Sequence, residues 1–143
     1  MLFRSHEVVR DELVQFWIPR LPSDVRITPE TQFNLDAENY THPDVLVRPA
    51  AIKAPDVRGD AALLVVEIAE SSLDFDQGTK AEIYARFGVR EYWVINARTL
   101  ETHIHTEPTA SGYASIRTAP ASETIAPTLV PALSVRLDEL DLT

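Results

Sequence analysis

The sequence predicts an α/β domain with one central mixed β-sheet and helices packed against it. Three observations support this prediction. An amphipathic pattern near the N-terminus indicates a helix, a nearly unbroken apolar segment over residues 61–69 indicates a buried strand, and alternating segments near the C-terminus indicate a hairpin. Helices and strands mixed along the chain in this way are typical of a sheet covered by helices. With 143 residues, the chain is expected to form a single domain over residues 1–143.

The first element is predicted to be a helix over residues 4–20. Its apolar residues recur every three or four positions, which is typical of a helix with one buried face. These residues are Val8, Val9, Leu13, Phe16 and Trp17. Ser5 is placed to cap the start of the helix, and Pro19 is placed to end it.

Three strands are predicted to follow this helix. Residues 25–35 alternate between apolar and polar side chains but are interrupted by Pro29, so we expect a bent or two-piece strand at a sheet edge. Residues 43–47 open with a proline and predict a short strand. Residues 61–69 are apolar except for Glu67, which indicates a central strand buried on both faces.

The second half of the chain predicts three further strands. Residues 91–96 are expected to form another interior strand, and residues 100–105 and 113–117 are expected to pair as an antiparallel hairpin. The apolar tail beyond Pro131 fits either a strand or a short helix.

Composition excludes several classes of function. The 22 acidic residues exceed the 13 lysines and arginines, and a net charge of -9 argues against a simple basic-patch nucleic-acid binder. The lack of cysteine excludes thiol catalysis, disulfides and cysteine-ligated zinc. Only four glycines are present, and none forms a phosphate-binding loop. Since the chain has neither an apolar run of about 20 residues nor a signal peptide, we expect a cytoplasmic protein that does not enter membranes.

Two acidic residues lie at the ends of predicted neighbouring strands. Glu67 is the single charge in its apolar strand, where a carboxylate is costly unless it is paired, protonated or bound to a cation. Equally, Glu67 at a strand end could reach solvent, and Asp44 after its proline could be a turn residue. Together, however, the two carboxylates are placed to share a divalent cation.

Lys80 is the third residue of this predicted site. It lies in a helix predicted over residues 76–87, with Asp76 as its cap and Gly88 as its left-handed end. The inward-facing residues of this helix are expected to be Ile83, Tyr84 and Phe87. Spacing alone favours equally a lysine aimed at the two carboxylates and a lysine with a solvated ammonium group. In the cleft, Lys80 would lower the pKa of Glu67, which burial and Asp44 are expected to raise well above that of a free glutamate.

The histidines give weaker signals. His103 and His105 face the same way on a predicted strand but lack a third ligand, so we expect a surface pair. His6 and Glu12 on the first helix point either toward the candidate site or toward solvent.

Four segments together resemble the Uma-two family, a group of restriction-endonuclease-like proteins in the PD-(D/E)XK nuclease superfamily. The segments are residues 43–47 (PDVLV), 64–72 (LVVEIAESS), 76–80 (DQGTK) and 84–94 (YARFGVREYWV). The resemblance runs from the first helix to the C-terminal strands and implies a restriction-endonuclease-like core. Asp44 matches the first acid of the superfamily and Glu67 the second. The superfamily lysine usually lies two residues after the second acid, where this chain has Ala69, and Lys80 matches a helix lysine that replaces it.

The resemblance implies a metal-dependent endonuclease, a hydrolase that cleaves phosphodiester bonds in DNA. Asp44, Glu67 and the main-chain carbonyl near Ile68 would hold Mg²⁺ or Mn²⁺, and Lys80 would stabilise charge developing at the phosphorus. Members of the family also carry a segment ahead of the first helix, so the resemblance predicts a domain that is short at its N-terminus. The alternative is a catalytically silent module that keeps the nuclease fold for binding or assembly.

The distribution of charge predicts which face would meet DNA. Beyond Arg98 the chain has six acidic residues against only Arg117 and Arg136, so the C-terminal third is expected to face away from nucleic acid. The arginines expected to contact the DNA backbone are Arg4, Arg10, Arg86 and Arg90. Because one such face is small for holding a duplex, we expect a homodimer.

Overall fold

A six-stranded sheet forms the centre of the computed structural model, which describes residues 5–143. The described elements occur in the following chain order: α1 (His6–Trp17), β1 (Val25–Pro29), β2 (Phe33–Asn34), β3 (Tyr40–Thr41), β4 (Val45–Pro49), β5 (Leu64–Ala69), α2 (Leu73–Gln77), α3 (Thr79–Arg86), β6 (Glu91–Asn96), β7 (Thr102–Thr109), β8 (Gly112–Ala119), β9 (Thr124–Ile125) and β10 (Val135–Arg136).

The strand order of the sheet is β1-β4-β5-β6-β7-β8. Only β5 and β6 pair in parallel, and the other neighbours are antiparallel. This confirms the predicted α/β fold with a central mixed sheet. The predicted interior strands β5 and β6 lie side by side, and every residue of β5 is buried.

The two faces of the sheet are covered by different elements. Since side chains alternate along a strand, Leu64, Val66 and Ile68 of β5 share one face. That face packs against α1 and against the apolar residues of the C-terminal segment. The opposite face carries Val65 and Ala69 and packs against α3. Glu67 has the same parity as these two residues and therefore points toward α3.

The first helix agrees with the sequence prediction in most respects. The Ser5 side chain caps it by accepting a hydrogen bond from the Val8 N–H at 3.2 Å. The α-helix ends at Trp17, and residues 18–20 form a 3₁₀ turn around Pro19. The prediction that Val8 is buried is wrong: its side chain is 40% exposed, because the buried stripe continues through Val14 instead.

Strand β5 begins later than predicted, at Leu64 instead of residue 61. Residues 59–61 form one turn of 3₁₀ helix that packs against the end of α3. Gly59 is required there, since a Cβ on it would lie 2.2 Å from the Phe87 carbonyl oxygen. At the end of α3, Gly88 has the left-handed conformation predicted for it, with φ of 81°.

The single helix predicted over residues 76–87 is two helices. Gly78, with φ of -94° and ψ of -93°, separates α2 from α3. Asp76 is therefore not a helix cap. It is a buried residue of α2, and its carboxylate accepts a hydrogen bond from the Ser72 hydroxyl at 2.8 Å.

The remaining strand predictions hold with shifted ends. The two-piece strand is confirmed: β1 forms one edge of the sheet, and β2 pairs with β3 in a separate ribbon. The hairpin of β7 and β8 is longer than predicted, and the tail forms the short strand β10 followed by a 3₁₀ turn. Within residues 5–143, no helix has the length and apolar character needed to cross a membrane. The cytoplasmic location stays a prediction.

Candidate active site

A cleft of about 450 Å³ opens where β4 begins and β5 ends. Its walls come from α1, the residues before β4, the end of β5, α2 and the start of α3. The lining residues are His6, His42, Asp44, Glu67, Ile68, Glu70, Ser71, Ser72, Phe75, Asp76 and Lys80. The structure thus brings together the two acids and the lysine that the sequence analysis singled out.

Asp44 immediately precedes β4 and is fixed by contacts from two other elements. Its Oδ2 accepts a hydrogen bond from the Ile68 N–H of β5 at 2.7 Å. Its Oδ1 contacts Nε2 of His6, in the first turn of α1. The side chain is 13% exposed, so the carboxylate lies at the floor of the cleft and not on the outer surface.

Glu67 lies deeper than Asp44 and is only 4% exposed. Its Oε2 accepts hydrogen bonds from Lys80 Nζ at 3.1 Å and from the Tyr84 hydroxyl at 3.0 Å. Its Oε1 faces the main-chain N–H of Asp44 at 3.3 Å. The carboxylate is therefore held from both sides, by α3 and by the start of β4.

Burial raises the pKa of Glu67 from 4.5 to about 7. The ammonium of Lys80 lowers this pKa, whereas the negative charge of Asp44 raises it further. The raised pKa, and the opposite effects of Asp44 and Lys80 on it, agree with the expectation from the sequence. A cation placed between the two carboxylates would favour the ionised form of Glu67.

Lys80 is the second residue of α3 and reaches both buried acids. Besides its bond to Glu67, its Nζ lies 3.5 Å from Oδ1 of Asp76, four residues earlier in the chain. Burial alone would lower the pKa of Lys80, but the charges of Glu67 and Asp76 outweigh it and raise that pKa. The lysine is therefore charged and faces the cleft, which decides between the two orientations left open by its spacing.

Several contributions to this cleft were not predicted from the sequence. Tyr84 faces inward as predicted, but its part in the site was not foreseen: its hydroxyl donates to Glu67 and lies 3.0 Å from the Thr41 hydroxyl. Its position four residues after Lys80, on the same helix face, was the available signal. His6 faces the site, since its Nε2 contacts Oδ1 of Asp44, and its main-chain N–H donates to Oε1 of Glu70 at 2.6 Å. No local pattern marked Glu70, because its role depends on where α1 begins.

A model of the Uma2 family, described as "Putative restriction endonuclease", matches residues 4–141. The chain belongs to the Uma2 family. This confirms the resemblance to the Uma-two family drawn from the four sequence segments.

Two solved structures share the fold of this Uma2 protein. One is a putative nuclease belonging to DUF820 from Anabaena variabilis ATCC 29413, with a TM-score of 0.72 at 14% identity, covering 97% of this chain and 81% of that one. The other is the type IIG restriction endonuclease BpuSI, with a TM-score of 0.54 at 13% identity. That match covers 82% of this chain but only 14% of BpuSI. A comparison with curated proteins finds no match.

Of the arginines predicted to contact DNA, the three that the structure describes do not line the cleft of the Uma2 protein. Arg86 is the last residue of α3, about 9 Å along the helix axis from Lys80, and Arg90 precedes β6; both are exposed. Arg10 is not available for DNA, because it is 8% exposed and its guanidinium pairs with Glu30 at 2.5 Å. Arg4 lies outside the described residues.

The expected surface pair of histidines is also incorrect in part. His105 is fully buried, and its Nδ1 lies 3.1 Å from the main-chain carbonyl oxygens of Tyr92 and His103. Burial lowers the pKa of His105, so this ring is neutral and belongs to the core beside Tyr92 and Tyr113. His103 is half-buried. The expectation failed because β7 is covered by α3 on the face that carries His105.

Proposed function

We propose that this Uma2 protein is a metal-dependent endonuclease that hydrolyses phosphodiester bonds in DNA. One observation carries the proposal: two carboxylates from neighbouring strands and a charged lysine meet in one open cleft. Membership of a family described as restriction endonucleases supports the same reaction class. The nuclease fold of the structural neighbours is compatible with it.

The residues of the cleft fit a hard divalent cation such as Mg²⁺ or Mn²⁺. Asp44 and Glu67 supply carboxylate oxygens, and the main-chain carbonyl of Ile68 is the third protein ligand in our proposal. No group of three acidic or histidine side chains within residues 5–143 is arranged to hold a metal ion. Two carboxylates with a carbonyl suit Mg²⁺, which usually keeps several waters and binds one or two carboxylates. The pKa of Glu67 is raised beside Asp44 even though Lys80 lowers it, so the ammonium of Lys80 alone does not balance the two buried carboxylates.

A bound Mg²⁺ or Mn²⁺ would polarise the phosphate and make water more acidic. The residues of the chain perform the other tasks. Lys80 presents its ammonium to the cleft, where it stabilises negative charge on the phosphate oxygens in the transition state. The Ile68 N–H orients Asp44, and the Tyr84 hydroxyl orients Glu67, so both carboxylates keep their direction without the substrate.

Arg86 and Arg90 would contact the DNA backbone outside the cleft. Both are exposed. A DNA strand that ran from Lys80 toward the C-terminal end of α3 would meet Arg86 and then Arg90. We further propose that two copies form a homodimer that doubles this face.

A cleavage assay with Mn²⁺ tests the proposed function. Plasmid and linear oligonucleotide substrates are incubated with the wild type, Glu67→Ala and Asp44→Asn. We expect the wild type to cleave and both variants to lose at least 100-fold in rate. Glu101→Gln, an exposed acid in the C-terminal third, is the matched control and should cleave like the wild type. No cleavage by the wild type, or equal cleavage by Glu67→Ala, would contradict the proposal.

A catalytically silent binding module is the second candidate. Two observations favour it: Ala69 occupies the usual position of the superfamily lysine, and Glu67 is already satisfied by Lys80 and Tyr84 without a metal. Such a module need not bind Mn²⁺ at Asp44 and Glu67, whereas the nuclease must.

A further inference from the structure

An exposed aromatic ring stands at the wall of the candidate active site. Phe75, in α2, lines the same cleft as Asp44 and Glu67, yet its side chain is 52% exposed. The core does not require this ring, since the buried residue of α2 is its neighbour Asp76. A single exposed apolar side chain is common on protein surfaces, so what marks Phe75 is its position: its ring lines the same cleft as the two acids and lies beside Lys80.

The position of Phe75 relative to Lys80 connects it with the proposed reaction. Nζ of Lys80 lies over the ring, 5.6 Å from its centroid, while it also donates to Glu67. A phosphate placed at Lys80 would therefore have its adjoining nucleotide within reach of the ring.

A second aromatic side chain lines the cleft. His42 lies on its wall, and Tyr40 of β3 packs edge-on against the His42 ring with centroids 5.5 Å apart. Tyr40 is 58% exposed. Flat rings thus come from two separate segments, the residues around β3 and α2.

The charge of the cleft limits how it can hold nucleic acid. Among the lining residues that the structure describes (within 5–143), four are acids, Lys80 is the single lysine, and none is an arginine. Duplex binding without sequence preference depends mainly on lysine and arginine contacts to phosphates, and the described lining residues of this cleft supply one such contact, Lys80. Single-strand binding also uses positive charge along the backbone, but stacking of a base on an aromatic ring adds affinity that a base-paired duplex does not gain. A base inside a duplex has both faces covered by its neighbours, so an unpaired base is the one that can use Phe75.

We propose that Phe75 is a stacking platform for an unpaired base, and that the preferred substrate is DNA that is single-stranded next to the cleaved phosphate. This proposal rests on the proposed nuclease function and specifies its substrate class.

Binding of a fluorescein-labelled dT12 tests the stacking role. Anisotropy is measured in Ca²⁺ with dT12 and with a 12-base-pair duplex, for the wild type, Phe75→Ala, Phe75→Trp and Phe75→Leu. We expect dT12 to bind more tightly than the duplex, Phe75→Ala to weaken dT12 binding at least fivefold, and Phe75→Trp to restore it. Phe75→Leu keeps an apolar side chain but no ring face and should not restore binding. Ile116→Ala, which removes a 58% exposed side chain from β8, should bind like the wild type.

Three results would overturn the stacking proposal: tighter binding of the duplex, unchanged binding by Phe75→Ala, or full rescue by Phe75→Leu. Cleavage assays on the same two substrates separate it from the proposed function. If no DNA is cleaved but dT12 binding still depends on the Phe75 ring, stacking stands and the nuclease proposal fails. If the wild type cleaves DNA and Phe75→Ala binds and cleaves dT12 as well as the wild type does, the nuclease proposal stands and stacking fails.

Discussion

Glu67 is the residue of the candidate site whose charge is most costly to bury. Its carboxylate is almost wholly buried, lies beside Asp44, and is held by Lys80 and Tyr84. Hydrogen bonds from two donors do not offset the loss of hydration, because the pKa remains raised. In metal-free protein, ionised Glu67 therefore destabilises the folded state at neutral pH.

The pH dependence of stability should report this cost in metal-free protein. The pKa of Glu67 is raised from 4.5 to about 7 on folding, so the folded state favours the protonated form of this side chain. The free energy of folding gained in this way is fully present below pH 4.5. That effect is lost as pH rises through about 7. We expect Glu67→Gln, which cannot ionise, to avoid this loss and to gain on the order of 3 kcal/mol over the wild type between pH 4 and pH 8. Urea denaturation at both pH values measures the difference.

The exposed substitution Glu101→Gln is the control for this experiment and should follow the wild type at both pH values. If Glu67→Gln showed the same pH dependence as the wild type, Glu67 would not carry the cost described here.

The contacts of single residues were only partly predictable from sequence. Asp44, Glu67 and Lys80 could be found because each lies in a distinctive local context: a proline before a strand, an apolar strand, and a helix start. The contacts of His6 and Glu70 could not, because they depend on how α1 sits across the sheet. His105 was misplaced for the same reason, since only the packing of α3 decides which strand face is covered.

Element boundaries were less predictable than element types. The pattern of apolar residues indicated helix and strand correctly, but it did not show that Gly78 divides one helical segment in two. A five-residue helix such as α2 is too short for periodicity to define. The late start of β5 has a similar origin, because the 3₁₀ turn of residues 59–61 forms through contact with the end of α3.

The contact between this turn and α3 should be sensitive to one added methyl group. In Gly59→Ala, the new Cβ would lie 2.2 Å from the Phe87 carbonyl oxygen, so the turn and the helix end must separate. We expect a loss of about 1–3 kcal/mol in the free energy of unfolding, typical of overpacking. Chemical denaturation measures it, and an unchanged unfolding midpoint would show that this contact is not tight.

Charge across the whole molecule separates two regions. In the C-terminal third, Arg117 pairs with Glu123 at 2.6 Å and Arg136 pairs with Asp138 at 2.7 Å, so local acids engage both arginines. Arg86 and Arg90, which follow Lys80 in the sequence, are exposed. Any attraction for phosphate should therefore come from Arg86 and Arg90, and not from the arginines of the C-terminal third.

Charge reversal tests this division. The double variant Arg86→Glu/Arg90→Glu should bind dT12 more weakly. Its slope of log affinity against log salt should be smaller by about 1.4, the value for two lost phosphate contacts on a single strand. Arg117→Glu is the matched control and should leave both quantities unchanged. Unchanged affinity in the double variant would remove these arginines from the DNA-binding face.

A homodimer is the prediction for the assembly of the whole molecule. Two-fold oligomers are the commonest kind, and a second copy would double a small binding face. Light scattering at micromolar concentration should give twice the mass of one chain. A mass equal to a single chain would contradict the homodimer.

Titration with Mn²⁺ tests the central claim most directly, namely that Asp44 and Glu67 form one cation site. Calorimetry on the full chain should show one Mn²⁺ per chain, with affinity that rises as pH passes through about 7, because Glu67 must lose its proton. Asp44→Asn and Glu67→Gln should each weaken binding at least tenfold, while Glu101→Gln should not. Failure of the wild type to bind Mn²⁺, or equal binding by Glu67→Gln, would contradict the claim.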